Sequence, residues 1–302
     1  MFLTFLRHLF ENLALQLVFF VGIISVLGLL IWRLNKTFFR LLGFKKGKKI
    51  FLATGIIGVP IHEFGHVFFC LVFLHRIKEV KWFTPNSKDG TLGYVRHTFR
   101  KRNIYHQIGN FFIGIGPLLF GSAVIVGLMF LFMYVLMGNT EVANILGGGT
   151  TIGSYFSSVW NVFATVFHPA NFINGWWWIF IILACSIAMH MDLSWADIKG
   201  GFRGLCFITV ILFLMNIVLV LIGHSVARAV TNAFLWLSIS VVSFMGIAVL
   251  ILTMLVLISL VAVLIKRRVK RRIGNRKKTK NKPIKNLPKT SADEPAEAIA
   301  DA

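Results

Sequence analysis

Six stretches of this chain are apolar over a bilayer's thickness: residues 13–32, 50–74, 108–137, 174–190, 204–223 and 233–265. A helix needs about 20 such residues to cross the hydrocarbon core, and the third and last stretches are long enough to tilt or to project beyond it. With no water to satisfy backbone groups at that depth, the spanning segments must be helices or a closed barrel, and runs of this length are helical. Hydrophobic residues make up 57% of the 302, with thirty Phe and eight Trp, which excludes a single water-soluble core. The expectation is an all-α polytopic membrane protein of about six transmembrane helices. The first stretch is too long for a signal-peptide core and lacks a small-x-small cleavage site, so it reads as a retained anchor. Trp176, Trp177 and Trp178 read as an interfacial aromatic belt. Cys70, Cys185 and Cys206 all fall in apolar segments with no C-x-x-C pair, and read as reduced packing residues.

The formal net charge of +21 is concentrated rather than spread. Thirteen Lys or Arg and no acid lie between Lys266 and Lys289, ahead of the acidic end ADEPAEAIADA. That tail lacks the apolar residues to fold, and reads as disordered and held against anionic lipid head groups. No aromatic interleaving accompanies it, which argues against nucleic acid. With six spans and the tail in the cytoplasm, most basic residues of the loops fall inside, including the eight between Arg76 and Arg102. The segment 138–175, with no Lys or Arg, then falls outside as a translocated loop should. The cluster RLNKTFFRLLGFKKGKK, 33–49, falls on the wrong side by that rule, and reads as an amphipathic interfacial segment or a sign that the first stretch does not span as drawn. Four regions follow: an N-terminal anchor with its basic interfacial segment, 1–49; a membrane core, 50–203; C-terminal transmembrane helices, 204–265; and a disordered basic tail, 266–302.

Within the second apolar stretch stands HEFGH, residues 62–66. On a helix His62 and His66 leave the same face one turn apart and can share one Zn²⁺. Glu63 beside them can take a proton from water, and an ionisable group in so apolar a run is a functional-site candidate by default. Hydrolytic zinc also needs a third protein ligand and an open position. The polar run SIAMHMDLSWADIKGG, 186–201, is the best source, with His190, Asp192 and Asp197. Ser194 and Asp197 form an S-x-x-D helix start, so Asp197 has a capping role as its plain alternative; His190 is either the third ligand or a supporting group.

Between the second and third stretches, EVKWFTP and TLGYVRHTF alternate around the turn-like NSKDG and read as a β-hairpin. His75, His97 and His106 lie around it at spacings that form no ligand pair. Gly109, Gly114, Gly116 and Gly121 let another backbone approach the third stretch closely.

HEFGH at 62–66, GIGPLLFG at 114–121 and HMDLSWADIKGG at 190–201 together make the chain resemble the site-two protease family of intramembrane zinc metalloproteases. In the third motif Asp197 stands at the family's metal-binding Asp, Gly200 is displaced from it, the family's prolines are absent, and His190 falls near its Asn. The resemblance implies Zn²⁺ on His62, His66 and Asp197, with His190 the alternative third ligand or a supporting group. It also implies Glu63 as general base and a substrate that is a transmembrane or juxtamembrane segment of a membrane protein. It further implies that the hairpin pairs with an unwound substrate strand. The reading from another class is a zinc-binding but non-proteolytic membrane protein, a scaffold or a transporter. Glu63 argues against it, since binding alone needs no base, and a transport path would show more intramembrane acids.

Overall fold

A computed structural model describes residues 2–87, 91–142 and 152–280. Five helical segments are long and apolar enough to cross a membrane: Phe2–Leu42, Phe44–Val72, Ile104–Leu136, Trp195–Ile222 and His224–Ile273. A sixth apolar helix, Gly175–Ala188, is shorter, spanning about 21 Å at 1.5 Å per residue. The chain is an integral multi-pass membrane protein, mostly helical, with one small hairpin among the described residues.

Helices α1 (Phe2–Leu17) and α2 (Ile23–Leu42) run on through a π-helical turn at Val18–Gly22. Gly43, at φ +76°, ends α2 in a conformation that costs a glycine little, and α3 (Phe44–Val72) starts directly after it. The basic cluster 33–49 is therefore helical on both sides of a break at Gly43 rather than one continuous helix. Strands β1 (Arg76–Lys81) and β2 (Tyr94–Thr98) follow, then α4 (Ile104–Met129) with a π-helical extension to Leu136, α5 (Ile152–Val166), α6 (Gly175–Ala188), α7 (Trp195–Ile222) and α8 (His224–Lys280). The strands pair antiparallel, Ile77 opposite His97 and Lys81 opposite Tyr94, with a register shift between Ile77 and Glu79. Residues 143–151 of the segment expected to be translocated lie outside the described residues.

The core forms where α4 packs between α3 and α7, with α6 against α3 and α4. Ile125, Met129, Met133, Phe180 and Ile187 are fully buried there. Leu214, Val218, Leu221 and Ile222 of α7 instead face outward, Leu221 with 71% of its surface free. Apolar residues on both faces of one helix are what a lipid environment permits and water does not. Polar ties cross the bundle at depth: the Gln16 amide donates to Thr231 Oγ1 (3.0 Å), and Asn216 donates to Gln16 Oε1 (2.7 Å), joining α1, α7 and α8. Such bonds contribute about 0.6 to 2 kcal/mol each in a bilayer, comparable to several good apolar contacts.

Two expectations need correction. Trp177 is buried, donating its indole N–H to the Val166 carbonyl at 2.7 Å, so only Trp176 and Trp178 of the expected belt are exposed. The bundle ends at Ser259, and from Leu260 a second unit begins. Its described part is helical through Lys280, so residues 266–280, expected to be disordered, continue α8. Their Lys and Arg are good helix formers, and the helix has a long apolar stem on which to propagate. The rest of that tail, 281–302, lies outside the described residues.

Candidate metal centre

The inward face of α3 carries Val59, Glu63, His66, Val67 and Cys70, all buried, while Phe64, Phe68 and Leu71 face outward. This 3.5-residue spacing is the amphipathic pattern of a helix packed on one side only. Pro60 lies inside the helix, two residues ahead of HEFGH.

Both histidines have one ring nitrogen committed to backbone. His62 Nδ1 lies 2.6 Å from the His190 carbonyl oxygen, and His66 Nδ1 lies 2.8 Å from that of Ile113. A carbonyl only accepts, so each Nδ1 carries the proton and each Nε2 keeps its lone pair. This is the arrangement that fixes the tautomer and ring angle of metal-ligating histidines. The two rings are 5.1 Å apart.

Asp197 arrives from the start of α7. Ser194 and Asp197 form a reciprocal capping box: Ser194 N–H donates to Asp197 Oδ2 at 2.8 Å, and Asp197 N–H donates to Ser194 Oγ at 3.2 Å. That leaves Oδ1, 3.5 Å from His66 Nε2. Two ligands about 2 Å from a tetrahedral ion lie roughly 3.3 Å apart, so this pair is already near ligand spacing. One donor atom each from His62, His66 and Asp197 fall within 4.8 Å of one another. Capping and ligation, which read as alternatives for Asp197, use different oxygens and are compatible.

His190 is placed differently. Its ring nitrogens lie 2.9 Å from the Ser186 carbonyl and 3.2 Å from that of Phe51, and its ring stacks on Phe51. The imidazole has no nitrogen facing the cluster; the residue supports His62 through its main-chain carbonyl. Asp192 is also turned away, accepting from the Asn35 amide at 2.7 Å.

Glycines decide how closely the ligand-bearing helices approach. A Cβ on Gly116 would lie 2.7 Å from the Gly65 carbonyl, between the two histidine-bearing turns of α3 and α4. A Cβ on Gly114 would lie 2.6 Å from the Asp197 carbonyl, where α4 meets α7. The pair Gly114 and Gly116 in GIGPLLFG thus lets α4 touch α3 on one side and the start of α7 on the other, which brings Asp197 to His66. On α3 itself, Gly58 leaves room for the Ser186 carbonyl and the His190 ring.

The hairpin covers the acidic member. A Cβ on Gly93, just before β2, would lie 2.8 Å from Glu63 Oε1, so the backbone leading into β2 lies close over the carboxylate. The hairpin also yields a grouping absent from the sequence reading: Cys70, His75 and His97 present donor atoms within 4.8 Å of one another. Burial lowers the pKa of His75, and lowers that of His97 to about 4 with His75 adding to the effect, so both imidazoles are neutral near pH 7. Two signals could have found this group: Cys70 lies four residues after His66 on the same helical face, and the hairpin returns His97 to the end of α3.

No family model, curated protein or solved structure matches the chain.

Proposed function

We propose that this chain is an intramembrane zinc metalloprotease that hydrolyses peptide bonds in transmembrane or juxtamembrane segments of membrane proteins. The observation that carries the proposal is the convergence of His62, His66 and Asp197 from two helices, beside a buried Glu63, with both Nδ1 atoms tied to backbone carbonyls. Two imidazoles and one carboxylate are the donor set of hydrolytic zinc sites. Zinc bound there would supply Lewis acidity, making water easier to deprotonate and polarising a carbonyl.

The chain's own groups do the rest. His62, His66 and Asp197 would hold the ion. Glu63 accepts the proton of the attacking water and returns it to the leaving amine. An acidic side chain at membrane depth costs about 3 kcal/mol on insertion scales, a cost that packing alone gives no reason to bear. The hairpin over Glu63 is two-stranded among the described residues, and a substrate segment unwound from its helix can pair on an outer edge through main-chain hydrogen bonds. The distribution of Lys and Arg supports a cytoplasmic side for the basic tail, where anionic lipid would hold it.

Glu63→Gln tests the reading. Purified protein should keep its zinc and its fold yet lose cleavage of a single-span substrate by 10²-fold or more, the scale of a lost general base. Undiminished cleavage in that variant removes the mechanism. Zinc in the wild type without any cleavage returns the non-proteolytic reading.

A further inference from the structure

We propose that Cys70, His75 and His97 form a second metal site, for Zn²⁺, that pins the hairpin to the end of α3. The site is built by three local features. Cys70 projects one turn beyond His66 from the same face of α3 and is fully buried. The helix then ends in a Schellman turn: His75 N–H donates to the Cys70 carbonyl (2.8 Å) and Leu74 N–H to that of Leu71 (3.2 Å). This turn folds His75 back onto Cys70. Leu74 occupies its left-handed position at φ +55°, the only non-glycine residue with positive φ among the described residues. Glycine usually fills that position, and any other residue there marks a geometry held by its surroundings. Gly109 on α4 makes room for it, since a Cβ there would collide with Phe73 and lie 3.0 Å from His75 Nε2. Finally, β2 pairs with β1 and carries His97 to within 3.0 Å of His75, Nδ1 to Nδ1.

The hydrogen bonds set the donor atoms. His75 Nε2 lies 2.9 Å from the His106 carbonyl and therefore carries its proton, leaving the Nδ1 lone pair toward the cluster. In the metal-free arrangement His97 Nδ1–H donates to that lone pair. For both imidazoles to bind, His97 would move its proton to Nε2 through solvent, and the rings would turn so that both Nδ1 lone pairs meet one ion. Their 3.0 Å separation is within a few tenths of the roughly 3.3 Å of a tetrahedral pair. The Cys70 thiol releases its proton to water and binds as thiolate. One thiolate and two imidazoles select a borderline ion such as Zn²⁺ over Mg²⁺ or Ca²⁺. Because Gly93 leads into the same strand as His97, an ion here would hold strand backbone over Glu63.

The site can be tested apart from the first, which contains no sulfur. In full-length protein carrying Cys185→Ala and Cys206→Ala, Cys70 is the sole thiol. Reconstitution with Co²⁺ should then give a near-ultraviolet thiolate-to-cobalt charge-transfer band. The band should persist in Asp197→Ala and vanish in Cys70→Ala. Wild-type zinc content should be two per chain, falling toward one in either Cys70→Ala or His97→Ala. Absence of the band in the single-thiol protein overturns the proposal, as does zinc content unmoved by both substitutions. His75 and His97 would then be imidazoles packed on Phe99, and Cys70 a buried packing residue. The band does not depend on protease activity, so its failure is distinguishable from failure of the proposed function.

Discussion

At Asp197 two demands meet on one carboxylate, and the two oxygens divide them: Oδ2 caps α7 and Oδ1 faces His66. Capping is what aims the other oxygen, so the helix start serves as the support of the candidate ligand. His190 supports the same cluster with its carbonyl, which any residue supplies, while its ring fills space against Phe51. The two substitutions should therefore differ. Asp197→Ala should lose most of the zinc held by the first cluster. His190→Ala should retain it with affinity reduced 10- to 100-fold at most, the range of an outer partner. Metal titration of each variant in a Cys70→Ala background isolates that cluster; the reverse order would make it a three-histidine site. Much at this scale was legible in the sequence. HEFGH announces two histidines on one face because i, i+4 residues share it, and S-x-x-D announces a cap from local backbone needs. Division of labour between His190 and Asp197 was not legible, because it depends on which atoms of each residue face α3, and that is set by packing.

The helices come together because α4 is narrow where it must be. Gly114 and Gly116 are two residues apart, on sides of α4 that face different partners, and each meets backbone rather than a yielding side chain. Gly114→Ala should force α7 away from α4, cost about 1 to 3 kcal/mol, and lower zinc content by moving Asp197. Gly127, on the same helix, has nothing within 4 Å of its would-be Cβ. Gly127→Ala should be neutral or stabilising by up to about 1 kcal/mol, through helix propensity alone. Thermal unfolding in detergent and elemental analysis of the pair check both signs; equal effects would mean the close approach at Gly114 is not what positions α7. Glycine spacing announced close packing in the sequence, yet not which helices would meet there. The hairpin was legible from alternation around NSKDG. Its use was not: the pairing that sets His97 beside His75, and the resting of Gly93 on Glu63, are long-range consequences with no local periodicity.

Across the whole molecule, the apolar runs were the most legible feature, since the bilayer leaves the backbone no alternative to helix over such lengths. All six runs lie in helices, of which five are long enough to span and Gly175–Ala188 is short. The shortfall arises because residues 189–194 break into a loop that carries polar groups to the cluster, a use of irregular backbone that protein surroundings permit. Sidedness is a proposal resting on charge. With Cys70, Cys185 and Cys206 all replaced, single cysteines at positions 145 and 280 should react with an impermeant reagent from opposite sides of intact membranes, 280 from the cytoplasm. Reaction from one side would require a different number of crossings. The central claim, that metal held by His62, His66 and Asp197 works with Glu63 to cut a membrane-embedded peptide, is tested most directly by metal removal. Purified protein in lipid, given a single-span substrate, should cleave it, stop when chelation strips the metal, and resume when Zn²⁺ is restored. Cleavage that continues unchanged in metal-free protein would contradict the account.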